Sequence, residues 1–247
     1  MKKYYLLTIS LLLILTSACK KEGQLILKPV AAAQPIGFRG FVVGNTLEQY
    51  FDGRKIREFY GNASYDGRIV FDSDEPILME LKKKGDDQVL YSAKIAKDAS
   101  GTIKTMRFFY DGTKVTENYN YPVAKPGVEQ IAFYFDFPAD MPVDIVAGDD
   151  SGDVNNLHYL ARNVQPKQWV DFLEIAPING PDQYIFLLKA GTKEFLIKND
   201  FFSSYIQGNI PSTGGWYQGG GVQSMYVIYN KTSDAVAAQN IIDSFPR

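Results

Sequence analysis

Few side chains in this sequence can make or break bonds. There is one histidine, His158, and one cysteine, Cys19. A serine nucleophile would need a base beside it and a strained elbow to present it, and no Gly-x-Ser-x-Gly occurs. A lone histidine argues against multi-histidine metal sites. No phosphate-cradling loop, dinucleotide fingerprint or zinc spacing is present. Carboxylates are plentiful, with 28 Asp and Glu, so a paired-carboxylate hydrolase stays open. No particular pair is singled out.

Two constellations suit binding better than catalysis. The first is Ser212-Thr213-Gly214-Gly215-Trp216-Tyr217-Gln218-Gly219-Gly220-Gly221. Its glycines contribute nothing to a core, but they let a backbone turn freely or approach a ligand closely. Trp216 and Tyr217 can offer flat faces to the C–H side of a sugar ring, Gln218 can supply hydrogen bonds, and Tyr205 and Trp169 are candidates to join them. The alternative is a hairpin loop whose tryptophan folds back over the end of a sheet. The second constellation is Asp149, Asp150, Asp153, Asn155 and Asn156, oxygen donors at alternating spacing that suit calcium. The calcium-loop pattern with its distant Glu is not met, and turn chemistry accounts for the same residues.

The start of the chain carries a different chemistry. Lys2 and Lys3 precede an apolar run from Leu6 to Leu15, then come Thr16, Ser17, Ala18 and Cys19. The run is far short of the ~20 residues that span a bilayer, and it has the layout of a cleavable secretory signal. Leu15–Cys19 resembles the lipobox of bacterial lipoproteins, read one residue longer. The resemblance implies cleavage before Cys19, a diacylglycerol on its sulfur and an acyl chain on the new amine. Two or three buried chains anchor stably where one does not. Lys20 follows the cysteine where an inner-membrane retention signal would have Asp, so the expected address is the outer membrane, periplasmic or surface face open. Cys19-Lys20-Lys21-Glu22 is similar to the charged export signals of Bacteroidota surface lipoproteins, with fewer acidic residues.

The rest reads as β-structure. Of 247 residues, 26 are basic and 28 acidic, with no basic tract to follow a phosphate backbone, so nucleic acid is disfavoured. Asp52-Gly53, Asp66-Gly67 and Asp111-Gly112 stand between β-branched or aromatic runs, the strongest short-range hairpin signal. The polar stretch Lys82–Asp87 also reads as a hairpin loop with a solvated lysine run. Short strands at this spacing predict a mainly β fold of two β-sandwich-like modules. The expected divisions are a signal peptide 1–18, a lipidated tether 19–35, a module 36–148, a linker 149–156 and a module 157–247. Residues 169–175 read as a strand or as a short helix begun at Pro166. The tail from Ser233 to Phe245 reads as an α-helix with an apolar stripe of Ala238, Ile241, Ile242 and Phe245. The hairpins around Tyr50–Ile56 and Phe109–Val115 resemble those of immunoglobulin-like and transthyretin-like modules, which implies architecture only.

The expectation is a membrane-anchored, non-catalytic module whose partners are the bilayer, through Cys19, and a glycan or another envelope protein. A structural assembly component is the alternative, and a carboxylate-dependent hydrolase comes third.

Overall fold

The computed structural model describes residues 30–98, 101–149, 151–175, 184–206 and 221–246. The fold is mainly β. Fourteen strands are described, in three sheets.

The first sheet is organised by one long hairpin, β1 (Ala32–Phe51) and β2 (Arg54–Phe71). Asp52 and Gly53 form its turn with φ of 47° and 74°, the left-handed geometry for which Asp-Gly is suited. The lower half of β1 pairs in parallel with β5 (Lys104–Tyr110), and its upper half pairs with β3 (Ile77–Lys83). Two short hairpins complete the sheet, β3 with β4 (Val89–Ile95) and β5 with β6 (Val115–Thr116). The turns expected at 82–87 and at Asp111-Gly112 are both present.

The hairpin does not lie flat. Its register breaks between Val42 and Leu47, and Gly44 and Gly61 there have φ of 66° and 58°. Arg57 and Tyr65, both on β2, would be about 26 Å apart on a straight strand. Yet the Arg57 guanidinium lies 3.4 Å from the Tyr65 ring centroid. The bend folds both halves around a core that includes Phe38, Leu47, Phe59, Phe71, Leu81 and Phe108.

The remaining strands make two sheets face to face. One has the order β10 (Trp169–Ile175), β7 (Glu129–Asp136), β13 (Val222–Asn230), β14 (Ala235–Asn240). The other has β12 (Tyr205–Ile206), β11 (Tyr184–Lys189), β8 (Val143–Gly148), β9 (His158–Val164). Alternation decides which side chain goes where. Ile131, Phe133 and Phe135 of β7 point into the core shared with β8 and β11. Tyr134, with Tyr226 of β13, points the other way, onto Phe41, Val43 and Phe109 of the first sheet. The chain is therefore a stack in which each sheet packs on the next.

Several expectations need correction. Asp66-Gly67 is not a turn but the middle of β2, opposite Gly37 and Ile36, and the Asp66 carboxylate pairs with Arg39 of β1 at 2.7 Å. The linker expected at 149–156 is the loop between β8 and β9, which pair with each other. β7 and β8 pair with later strands, so the division at 148 falls inside one paired unit. β1 also begins inside the expected tether. Residues 169–175 are a strand, bonded to β7. The tail helix is replaced by β14, paired with β13, and only a 3-10 turn, Ile241–Asp243, is helical. The Ser233 and Thr232 N–H groups donate to Asn230 Oδ1 in the β13–β14 turn. Val236 and Ala238 meet the core at a period of two. Ladder bonds to β13 outweigh a weak helical preference.

The joint between first and second sheets is polar as well as aromatic. Tyr226 is fully buried. Its hydroxyl accepts from Gly44 N–H at 3.3 Å and donates to the Asp136 carboxylate. Tyr60, at the bend, reaches the same carboxylate at 2.6 Å, and Lys167 pairs with it. Burial first, and the Tyr60 hydroxyl second, push the Tyr226 phenol far above its ordinary pKa, so it stays a donor.

Two stability predictions follow from this joint. At Gly44 a Cβ would stand 2.9 Å from the Tyr134 hydroxyl; at Gly85, also at positive φ, nothing lies within 4 Å. Both alanine variants carry the ~1 kcal/mol or more of a left-handed non-glycine residue, and Gly44→Ala should lose more, read as the lower urea midpoint. Tyr226→Phe should cost about 1–3 kcal/mol, because it strips a partner from a buried carboxylate and from the half-buried Gly44 N–H. Tyr60→Phe, at a half-exposed position, should cost less at an unchanged m-value.

Candidate functional site

The structure builds an aromatic groove where the β12 end of the third sheet meets the β13–β14 turn. After β11 the chain makes one bridge, Leu188 to Phe195. Lys198 and Asn199 then take left-handed φ of 52° and 51° and turn the chain sharply. Asn199 Oδ1 accepts from Phe195 N–H at 2.9 Å. Asp200 caps a single helical turn, α1 (Phe201–Ser204), by accepting from Ser203 N–H at 2.8 Å. Ser204 Oγ, fully buried, accepts from Ile197 N–H at 2.8 Å. These bonds hold α1 in one orientation.

That orientation separates two adjacent phenylalanines. Phe201 points inward against Phe186 and Phe195, with centroids 6.1 and 6.2 Å away. Phe202 points outward, 66% exposed, its ring centroid 3.9 Å from that of Phe201. Tyr205, half-buried against Tyr184, continues the aromatic wall. The facing wall is the β13–β14 turn, where Asp234 sits at φ 47° and its Oδ1 accepts from the Tyr229 hydroxyl at 2.9 Å. That bond holds the Tyr229 phenol above its usual pKa. Between the walls lies a groove of about 360 Å³ lined by Phe202, Tyr205, Lys198, Ser203, Ser233 and Asp234. It offers an open ring face, an ammonium donor, hydroxyls and a carboxylate acceptor. That set suits a hydroxylated ring, which needs a flat apolar partner and polar groups at its edge.

The candidate residues read from sequence fare unevenly. Tyr205 lines the groove. Trp169 does not; it packs on Tyr134, Phe109 and Tyr119 at the joint between first and second sheets. The two sit in different sheets and different aromatic clusters, because alternation on β10 turns Trp169 toward the first sheet. Trp216, Tyr217 and Gln218 lie outside the described residues, as do Cys19 and Asp150. Phe202 has no signal of its own in the sequence: the run from Phe201 to Ile206 reads as one strand, and the outward ring comes from the sharp turn at Lys198 and Asn199 and the capped helical turn α1 that follows it.

The calcium donors are engaged elsewhere. Asp149 Oδ1 accepts from the N–H and Oγ of Ser151. Asp153 accepts from Asn155 and Asn156. Lys193 donates to Asn155 Oδ1 at 2.7 Å, putting an ammonium where a cation would bind. Among the described residues no group of three or more His, Cys, Asp or Glu side chains could hold a metal ion. His158 is exposed at the start of β9. The lysine run is paired, Lys82 over the Tyr50 ring and Lys84 with Glu58 at 2.9 Å. Among the described residues no helix is long and apolar enough to cross a membrane.

No family model matches the chain, and no curated protein matches it. Among solved structures, the chain is similar to a carbohydrate-binding module of family 26 from Eubacterium rectale Amy13K, solved in complex with maltoheptaose. The two share 9% identity over 85% of this chain and 96% of that one, with a TM-score of 0.21. At that TM-score the likeness carries no argument about fold or ligand.

Proposed function

We propose that this protein is a lipid-anchored, non-catalytic module of the cell envelope that binds a glycan through the groove at Phe202 and Tyr205. The observation that carries the reading is the Phe202 ring. A phenylalanine two-thirds exposed is held in place by a capped helical turn and backed by a second ring. It is a preformed flat surface beside polar groups, which lowers the ordering cost of binding. Trp216, Tyr217 and Gln218 follow Tyr205 and Ile206 in the sequence and are proposed to extend the same site. The anchor is proposed to be the acylated Cys19, and the location the outer membrane.

A second reading, an envelope assembly component, has its own support. Among the described residues β2 pairs with β1 alone, and an unpaired edge invites another strand.

Two variants compared with wild type test the leading reading. In affinity electrophoresis against a panel of polysaccharides, wild type should be retarded by at least one. Phe202→Ala and Trp216→Ala should each weaken that retardation about tenfold, the equivalent of ~1.4 kcal/mol. Equal migration of all three proteins on every polysaccharide would sink the glycan reading and leave the assembly reading standing. Stability separates binding from folding. Phe202→Ala should stay within about 0.5 kcal/mol of wild type, whereas Phe201→Ala should lose about 2 kcal/mol or more of packing. For the anchor, Cys19→Ser should move from the membrane fraction to the soluble fraction; continued membrane partition would overturn lipidation.

A further inference from the structure

The bend of the β1–β2 hairpin leaves a cleft of about 750 Å³ between the two arms of β2 and the turn leading to β3. It is separate from the Phe202 groove and does not rest on the reading given to it. Three arginines line it, Arg54, Arg57 and Arg68. Arg57 is the informative one. Its guanidinium lies on the Tyr65 ring, with Phe38 behind at 5.7 Å. Its Nε and Nη1 are buried and have no hydrogen-bond partner. A ring face offsets part of the cost of desolvating a cation, but it does not replace a hydrogen-bond acceptor, and buried charged donors are expensive to leave unmade. Arg68 reaches only a backbone carbonyl, Ala33 O at 3.1 Å. Of the carboxylates in the lining, Asp52 accepts from Leu78 N–H through Oδ1 at 2.9 Å.

The lining also says what the ligand is not. Asp52, Asp72 and Glu75 share the cleft with the three arginines, so its formal charge balances. A polyphosphate or a densely sulfated chain would meet as many like charges as opposite ones. What fits is a sparser charge, one carboxylate to a sugar ring set among neutral hydroxyls. Guanidinium groups take the carboxylate, while Ser73 and Glu75 serve hydroxyls, and Ile56, Val70 and Pro76 give the apolar strips that ring C–H groups cover.

We infer that the cleft at the β1–β2 bend binds an acidic saccharide, with one carboxylate at Arg57. Isothermal titration calorimetry of the full soluble chain with trigalacturonate, and with maltotriose as the uncharged control, tests this. Trigalacturonate should bind and maltotriose should not. Arg57→Gln should weaken binding at least tenfold, and Arg57→Lys should retain part of it while losing the planar donor set. The titrations are run in the Phe202→Ala background, which disables the groove, so that the heat read belongs to the cleft. Binding of both sugars alike, binding of neither, or equal affinity with and without Arg57→Gln would each overturn the inference. Should Arg57→Gln fail to fold, Arg54→Gln, fully on the rim, serves in its place with a smaller expected loss.

Discussion

The β1–β2 hairpin has to fold back on itself at Gly44 and Gly61, and nearly everything else is arranged around that bend. Two residues with left-handed φ supply the geometry. On the inner side the bend closes the first core and brings Arg57 onto Tyr65. On the outer side the same residues meet the second sheet. Gly44 N–H and the Tyr60 hydroxyl both reach the Tyr226–Asp136 pair. A Cβ on Gly61 would stand 3.2 Å from Gln239 Oε1 of β14. One distortion therefore makes both a cleft and a docking surface. The chain has a single cysteine and so no internal disulfide; packing and buried hydrogen bonds must hold the bend. Asp136 is suited to that work because a buried carboxylate is tolerated only where donors surround it. Here Lys167, Tyr60 and Tyr226 all point at it. Sliding of the second sheet past the first strips the Tyr60 donor from that charge and the Gly44 N–H from the Tyr226 hydroxyl, so the joint resists sliding more strongly than aromatic contact alone would.

The two candidate binding surfaces arise from different parts of this plan. The cleft is a by-product of bending, walled by both arms of one strand. The groove at Phe202 comes from a turn of helix wedged against a neighbouring sheet, with α1 and β12 lying against β14. Each has a preorganised element: a guanidinium held by a ring in one, a ring held by a capped helix in the other. Their chemistries differ accordingly. A planar cation without an acceptor selects for charge, and an exposed ring face selects for shape.

Local patterns carried much of the fold into the sequence. Alternation marked most strands, and Asp52-Gly53 and Asp111-Gly112 marked true turns because nothing competed with their preference. Asp66-Gly67 has the same two residues and is no turn. There Arg39 engages the aspartate across the strand, and the Tyr65 side chain covers the glycine so closely that its hydroxyl would lie 2.1 Å from an added Cβ. Long-range contacts decided a case that local propensity could not. The tail shows the same thing. The apolar stripe of Ala238, Ile241, Ile242 and Phe245 is divided: Ala238 packs on the core between the second and third sheets, while Ile241 and Phe245 join the aromatic joint. Their helical spacing in the sequence is a coincidence of a strand followed by a 3-10 turn. The Arg57 site was illegible for a stronger reason. Its two partners are eight residues apart on one strand, and nothing short of the bend brings them together.

The bend also bears on how the molecule would stand at a membrane. Ala31 N–H donates to Phe71 O at 2.8 Å, and Phe71 lines the arginine cleft. The N-terminal chain thus leaves the fold at the cleft end of the hairpin. From Cys19 to Ala31 a fully extended chain reaches at most about 40 Å. With Cys19 acylated, the cleft cannot stand farther from the bilayer than that reach plus its own depth in the fold. The Phe202 groove is built on the third sheet, across the stack from the first. Lipid attachment at this end would therefore restrict access to the cleft before it restricts access to the groove. A short acidic sugar could enter the cleft, whereas a long polysaccharide is better served by the groove. With an anchor at Cys19, its position, and not only the lining of each site, would divide the proposed ligands between them.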